Sequence, residues 1–330
     1  MTPTPRASLL PRPPLWQRLQ GHSHWRWLSR GALLLFAGAV VGLLVWQAGK
    51  VDWLAVLAAA EATPTPVLLA AALVAAAGHA VYSCFDLLGR RYTGHRLHAG
   101  AAMLVTFISY AFNLNFGAIV GGGAMRLRLY TRLGLPTATT LRVMALSMWT
   151  NWFGYLALAG ATFLMLPLAL PPAWHVSAMA LRLLGGLLLL LALAYLTACA
   201  GSPRRHWHWR GHEIRLPGPG MAFLQLAIST LNWLLIAAVI WVLLDQRVPF
   251  AAVASVYLVG VVAGIATRVP AGLGVQEAVF VALLSHNVPA PELLAALLIY
   301  RALYYWGPLL LAALAYLAVE SRAPVGRPPA

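Results

Sequence analysis

One stretch of this chain changes the chemistry of everything around it. Arg268-Val-Pro270-Ala-Gly272-Leu-Gly274-Val-Gln-Glu277 interrupts sequence that is otherwise almost wholly apolar. It places a guanidinium, a helix-breaking proline, two flexible glycines and a carboxylate within ten residues. In hydrocarbon, backbone without its helical partners survives only when protein or a water-filled cavity surrounds it. Ionisable side chains at that depth are expensive and usually mark a function. A second cationic group, Arg301, lies in the apolar run Leu293-Leu-Ala-Ala-Leu-Leu-Ile-Tyr300-Arg301, too far from its polar end to reach water easily. Such an arginine requires an anion, and Glu277 is the nearest candidate. Two readings follow: an ion pair that locks two helices, or a planar fork of donors from Arg301 or Arg268 that holds a lipid phosphate.

A related constellation lies earlier in the chain. Asn113 and Asn115 sit in an apolar run that ends in Gly121-Gly122-Gly123 and is followed by Arg126. Asn115 alone suits an interhelical hydrogen bond, whereas the pair together with the glycines suits a polar groove. Arg126 suits either the groove or a charge that fixes topology. The two glycine-broken segments suggest an internal, inverted repeat whose halves meet at a substrate site, as in many transporters.

Other polar groups carry less. His79 and Asp86 are seven residues apart, two helical turns, so they share a face and could pass a proton; internal satisfaction is the commoner fate. His206, His208, His212 and Glu213 match no metal-site spacing, and the interleaved Trp and Arg explain that segment as an interfacial anchor. There is no nucleophile elbow, HExxH helix or phosphate loop. The expectation is no enzyme, no cofactor and no metal.

The elements that must position these groups follow from composition. The chain has 330 residues, 61% hydrophobic and 9% charged, against about 25% charged in ordinary soluble domains. This is an all-α, polytopic integral membrane protein. Candidate spans are 31–49, 66–89, 100–120, 139–166, 179–200, 221–244, 251–267, 268–286 and 291–319. Segments 100–120 and 268–286 are the suspected re-entrant or broken pieces, leaving seven or eight crossings, since a span needs about 20 apolar residues. The domain plan is a basic and aromatic tail over 1–30, a membrane domain over 31–320 and a short tail over 321–330.

The net charge of +15 resides almost entirely in arginine. The arginines cluster in the N-terminal tail, near residues 90–96, 126–142 and 204–215, and at the chain end, whereas loops 50–65, 167–178 and 245–250 are poor in them. Positive charge collects in the cytoplasm, so the N-terminus and the Arg204–Arg215 loop are expected there, in a bacterial inner membrane. No folded basic module suggests nucleic acid.

Three features together, Pro270-Ala-Gly-Leu-Gly-Val-Gln-Glu277, Tyr300-Arg301 and the Asn-rich stretch ending Gly121-Gly-Gly-Ala-Met-Arg126, resemble the lysylphosphatidylglycerol synthase transmembrane-region family. That family includes the flippase half of the multiple peptide resistance factor and stand-alone membrane proteins. Ala271 stands where the family often has a first glycine, and no soluble aminoacyl-transferring domain follows the last helix. The resemblance implies translocation of an anionic phospholipid or glycolipid, with Asn113, Asn115, Arg126, Arg268, Glu277 and Arg301 lining the path and membrane lipids as partners. The alternative is an accessory subunit beside a separately encoded lipid-synthesis enzyme.

Overall fold

A computed structural model describes residues 53–321 apart from 167, 169, 172–176, 203–205, 210–211, 268 and 270–271. Of the described strands β1 and β2 only the backbone is described, and nothing is described of the side chains of Ile119 and Val120. The expected first span 31–49, the N-terminal tail and the residues after Ser321 lie outside the described residues.

The described chain is helical throughout except for one small hairpin. Helix α1 (Trp53–Glu61) leads to α2 (Thr65–Ser83), α3 (Phe85–Thr93) and α4 (Ala99–Phe116). A π turn (Ala118–Gly123) connects α4 to the short α5 (Ala124–Arg132). Next come α6 (Thr137–Met165) and α7 (Ala178–Gly201), then the antiparallel strands β1 (His206–Trp209) and β2 (His212–Arg215). Helices α8 (Pro219–Leu243), α9 (Phe250–Thr267), α10 (Val275–Leu284) and α11 (Ala290–Arg301) follow, and a second π turn (Ala302–Trp306) carries α11 into α12 (Gly307–Ser321). Six helical stretches among the described residues are long and apolar enough to cross a membrane. Helix α6, at 29 residues, has the length, but its Trp, Asn and Thr residues dilute its apolar character.

Most of the expected spans recur within a few residues. Two differ. The loop assigned to 50–65 contains α1, which packs on α11. Within 268–286, only the ten residues of α10 are helical, about 15 Å at 1.5 Å per residue, half of a bilayer core.

The side-chain distribution is that of a protein solvated by lipid. Leu183, Leu187 and Leu190 form an exposed stripe along α7, while Asp86, Thr106, Ser147, Thr150, Gln225 and Ser229 are buried. In water that arrangement would be unfavourable on both counts; in a bilayer, polar groups inside hold helices together. Gln225 donates to Thr150 Oγ1 at 2.7 Å and accepts from the Tyr195 hydroxyl at 3.0 Å, joining α6, α7 and α8.

Close helix crossings depend on missing side chains. A Cβ on Gly160 would meet the Leu189 nitrogen at 2.6 Å, and one on Gly185 the Leu164 nitrogen at 2.8 Å. These two glycines let α6 and α7 touch backbone to backbone.

The two ends of the bundle are marked by charge. Arg128 and Arg132 of α5 pair with Glu320 at the end of α12, the Arg128 contact measuring 2.7 Å. The arginines of α5 and the end of α12 therefore share one end. Arg247, after α8, pairs with Glu292 of α11 at 2.5 Å. The loop 245–250 thus meets the start of α11, and the arginines of α5 meet the end of α12.

Candidate functional site

Both expected breaks are present, and each has a local cause. Helix α4 ends where Gly117 adopts φ +84° and its N–H bonds the Asn113 carbonyl at 2.9 Å. The π turn then lies so close to α4 that a Cβ on Gly121 would stand 2.3 Å from the Phe112 carbonyl oxygen, and one on Gly122 2.8 Å from the Asn113 Cβ. Only glycine permits that approach. In the second break, Gly272 and Gly274 take φ +59° and +77°, a left-handed conformation that a side chain resists. The chain then returns along α9. Gly272 Cα lies 3.8 Å from the Cβ position of Gly264, and the Gln276 amide lies against Gly260. The nested contact pairs make α9, the break and α10 a helical hairpin.

Arg301 holds this hairpin. Its Nε donates to Glu277 Oε1 at 2.5 Å, and its Nη2 donates to Glu277 Oε2 at 3.1 Å and to the Gly272 carbonyl at 3.2 Å. The guanidinium also lies 5.5 Å from the Tyr305 ring centroid. The arginine side chain is 5% exposed and the glutamate 16%. One cation thus neutralises the carboxylate and satisfies a carbonyl released by the glycine break. The anion inferred for Arg301 is Glu277.

A second buried pair stands beside the first break. Arg126 of α5 lies 3.4 Å from Asp86 Oδ2 on α3, which also accepts from the Tyr130 hydroxyl at 2.7 Å. His79 is engaged elsewhere. Its Nε2 lies 3.0 Å from the Tyr304 carbonyl, so that nitrogen carries the proton and donates. The reason lies in the sequence. Pro308, four residues after Tyr304, has no N–H to offer that carbonyl. Asn115 Nδ2 similarly donates to the Tyr305 carbonyl at 3.2 Å and to Ala111 at 2.9 Å. Side chains from α2 and α4 therefore complete the hydrogen bonding of the second π turn. His79 and Asp86, read as a possible proton relay, serve separate partners.

Between the two breaks lies a cavity of about 310 Å³. Asn113 and Leu114 border it from the end of α4, and Val269, Gly272 and Gln276 from the second break. Much of its remaining wall is aromatic, Tyr82, Tyr110, Tyr257, Tyr300, Tyr304 and Tyr305 with Trp152 and Trp233, and Ile236, Val261 and Ile265 add aliphatic surface. Tyr82 stacks on Tyr110 with ring centroids 3.4 Å apart, and the Tyr110 and Tyr304 hydroxyls lie 3.2 Å apart. Asn151 also borders the cavity; its carbonyl is held by Ser229 Oγ at 2.9 Å and Trp233 Nε1 at 3.0 Å.

Of the residues expected to line a path, Asn113 does so. Asn115, Arg126, Glu277 and Arg301 are not among the residues that border the cavity. Asn115, Glu277 and Arg301 secure elements that form its wall, and Arg126 joins α5 to α3. Arg268 and Pro270 lie outside the described residues. The tyrosines were missed as a group, although each stands out as a hydroxyl in apolar sequence; only Tyr300 entered the sequence argument, beside Arg301.

Two glycine-broken segments, with a buried ion pair beside each and one cavity between them, place the chain among polytopic helical membrane proteins. The chain belongs to the lysylphosphatidylglycerol synthase TM region family, which it matches over residues 31–312. It is similar to the inner membrane protein YbhN of Escherichia coli (strain K12), 44% identical over 305 residues, 92% of this chain and 96% of that protein. It is 30% identical over 285 residues to the uncharacterised protein slr0712 of Synechocystis, covering 85% of this chain and 88% of that one. A shorter likeness, 32% over 89 residues, connects 26% of this chain with 11% of the phosphatidylglycerol lysyltransferase of Staphylococcus haemolyticus.

Proposed function

We propose that the protein carries the polar headgroup of a lipid between the leaflets of a bacterial inner membrane. The observation that carries this reading is the cavity itself, a largely apolar space of about 310 Å³ with tyrosines and the amide residues Asn113 and Gln276 in its wall, bordered by both broken segments. The barrier to lipid translocation is the headgroup in hydrocarbon, where an unsatisfied polar group costs several kcal/mol. A cavity of this kind replaces lost hydration, and re-entrant hairpins supply its irregular wall. Alongside it runs an apolar groove of about 780 Å³ between α2, α4 and α12. The groove and the cavity share the second π turn: Ala302 and Leu303 face the groove, and Tyr304 and Tyr305 the cavity. Acyl chains in the groove would stay in apolar surroundings while the headgroup enters the cavity.

The test uses purified protein in vesicles that carry tail-labelled fluorescent lipid in both leaflets. With active protein, an external reductant should bleach nearly all the label; without it, only the outer half. Bleaching equal to that of empty vesicles, for every lipid headgroup tried, would overturn the reading. An accessory-subunit role would then stand in its place.

A further inference from the structure

The β1–β2 hairpin, between α7 and α8, has no part in the cavity. Its register pairs His206 with Arg215, Trp207 with Ile214, His208 with Glu213 and Trp209 with His212. Successive residues of a strand alternate between its faces, and residues directly opposite each other share one. Trp207, Trp209 and Ile214, with His212, therefore lie on one face, and His206, His208, Glu213 and Arg215 on the other. A segment evenly mixed in sequence is sorted by pairing into an aromatic, apolar face and a charged one. The two strands pack on each other, and no described helix packs substantially on either. A two-stranded hairpin by itself is marginally stable in water. The aromatic face thus calls for a surface that the described bundle does not supply.

Position and charge identify that surface. Helices α6 and α7 run antiparallel, with Gly160 against Gly185 and Trp149 against Tyr195. The end of α7 therefore lies toward the start of α6, which follows the arginines of α5. The hairpin is at the arginine-rich end of the bundle. Phe223 and Leu224 are exposed apolar side chains, about 6–8 Å along α8 from its first residue. Apolar, lipid-facing surface thus reaches almost to the hairpin, and the headgroup layer beyond it is roughly 5–8 Å deep. Residues 204–215 carry four arginines and one glutamate. Tryptophan favours the headgroup level, and clustered arginine favours anionic lipid. We propose that the hairpin docks on the anionic headgroup layer of the leaflet at that end, with the face of Trp207, Trp209 and Ile214 toward the bilayer and that of His206, His208, Glu213 and Arg215 toward water. This contact is independent of lipid translocation. It ties the connection between α7 and α8 to the membrane surface and gathers acidic lipid there.

Spin labels test the docking in the full-length protein, with Cys84 and Cys199 replaced by Ser. Single cysteines at 206, 207, 208, 209, 213, 214 and 215 are labelled, and each protein is placed in lipid nanodiscs that leave both membrane faces open. Collisions with molecular oxygen, which concentrates in lipid, are compared with collisions with a water-soluble nickel chelate. In discs of phosphatidylcholine mixed with phosphatidylglycerol, the oxygen-to-nickel ratio at 207, 209 and 214 should exceed that at 206, 208, 213 and 215 by at least about twofold, with the period of two that a docked strand imposes. In pure phosphatidylcholine the contrast should shrink. Arg204→Gln, Arg205→Gln and Arg210→Gln should each lower the docked population by about fivefold in the mixed discs. None of these proteins should melt below the unlabelled parent in detergent, because the hairpin does not pack on the described helices. A reversed or absent alternation overturns the proposal. So do labels at 207, 209 and 214 that neither reagent reaches, or a lowered melting temperature, since either result means that protein covers this face. Equal contrast in the two lipid compositions overturns the anionic assignment.

Discussion

Arg301→Gln and Glu277→Gln, singly and together, test whether the buried pair is the lock of the second hairpin. The pair makes two hydrogen bonds, at 2.5 and 3.1 Å, and Arg301 makes a third to the Gly272 carbonyl at 3.2 Å. Removing one partner of a buried pair leaves the other uncompensated and costs about 3–5 kcal/mol. Each single variant should therefore lose about 4 kcal/mol. The double variant has no stranded charge. It should lose about 2 kcal/mol, less than either single variant and well below the additive 8. The residual deficit includes the bond to Gly272. Graded SDS unfolding in mixed micelles measures the three values against the parent. Vesicle bleaching on the same proteins tells whether activity returns with the fold. It should return in the double variant, because Arg301 is spent on holding protein groups. A double variant that folds but moves no lipid would mean that Arg301 holds headgroup phosphate. Additive losses, or single variants as stable as the parent, would refute the lock.

Three further outcomes are expected. Gly160→Ala should cost about 1–3 kcal/mol, because the new methyl would stand 2.6 Å from a backbone nitrogen of α7, while Gly186→Leu should be silent, with nothing within 4 Å; the same unfolding titration compares them. Gly272→Ala and Gly274→Ala should each lose roughly 1–2 kcal/mol from their left-handed backbone, read as lower melting temperatures; unchanged values would remove the argument for the turn. In a variant with Cys84 and Cys199 replaced by Ser, new cysteines in the N-terminal tail or at Arg204–Arg215 should resist an impermeant thiol reagent on intact cells, while one at Gln246 should react. The reverse pattern would invert the topology inferred from arginine placement.

The glycine positions also show what the sequence leaves open. Leucine anywhere in 179–200 looks tolerable from sequence, because the run is uniformly apolar. In the folded protein Gly185 lies on the α6 crossing and Gly186 faces away. Adjacent glycines in an apolar helix are indistinguishable until a neighbouring backbone arrives. The same holds for Asn113 and Asn115. Two residues apart, they diverge by about 200° around a helix, so one borders the cavity and the other caps the Tyr305 carbonyl.

The sequence by itself determined the helical membrane class, most span boundaries and the two breaks, and it named Glu277 as the nearest anion for Arg301. Each of these rests on an energy large enough to dominate locally: apolar runs in lipid, glycine and proline in a helix, a charge that must be matched. Tertiary structure alone decided what those breaks enclose. The cavity wall gathers tyrosines from α2, α4, α9, α11 and the second π turn, over 200 residues apart. Each one reads locally as an ordinary aromatic in a span. Whether its hydroxyl is satisfied by a neighbour or left open depends on helix rotation and crossing, which packing sets and local sequence does not encode. For the same reason Arg126, Glu277 and Arg301 are found engaged with protein groups, while tyrosines that read as ordinary span residues border the cavity.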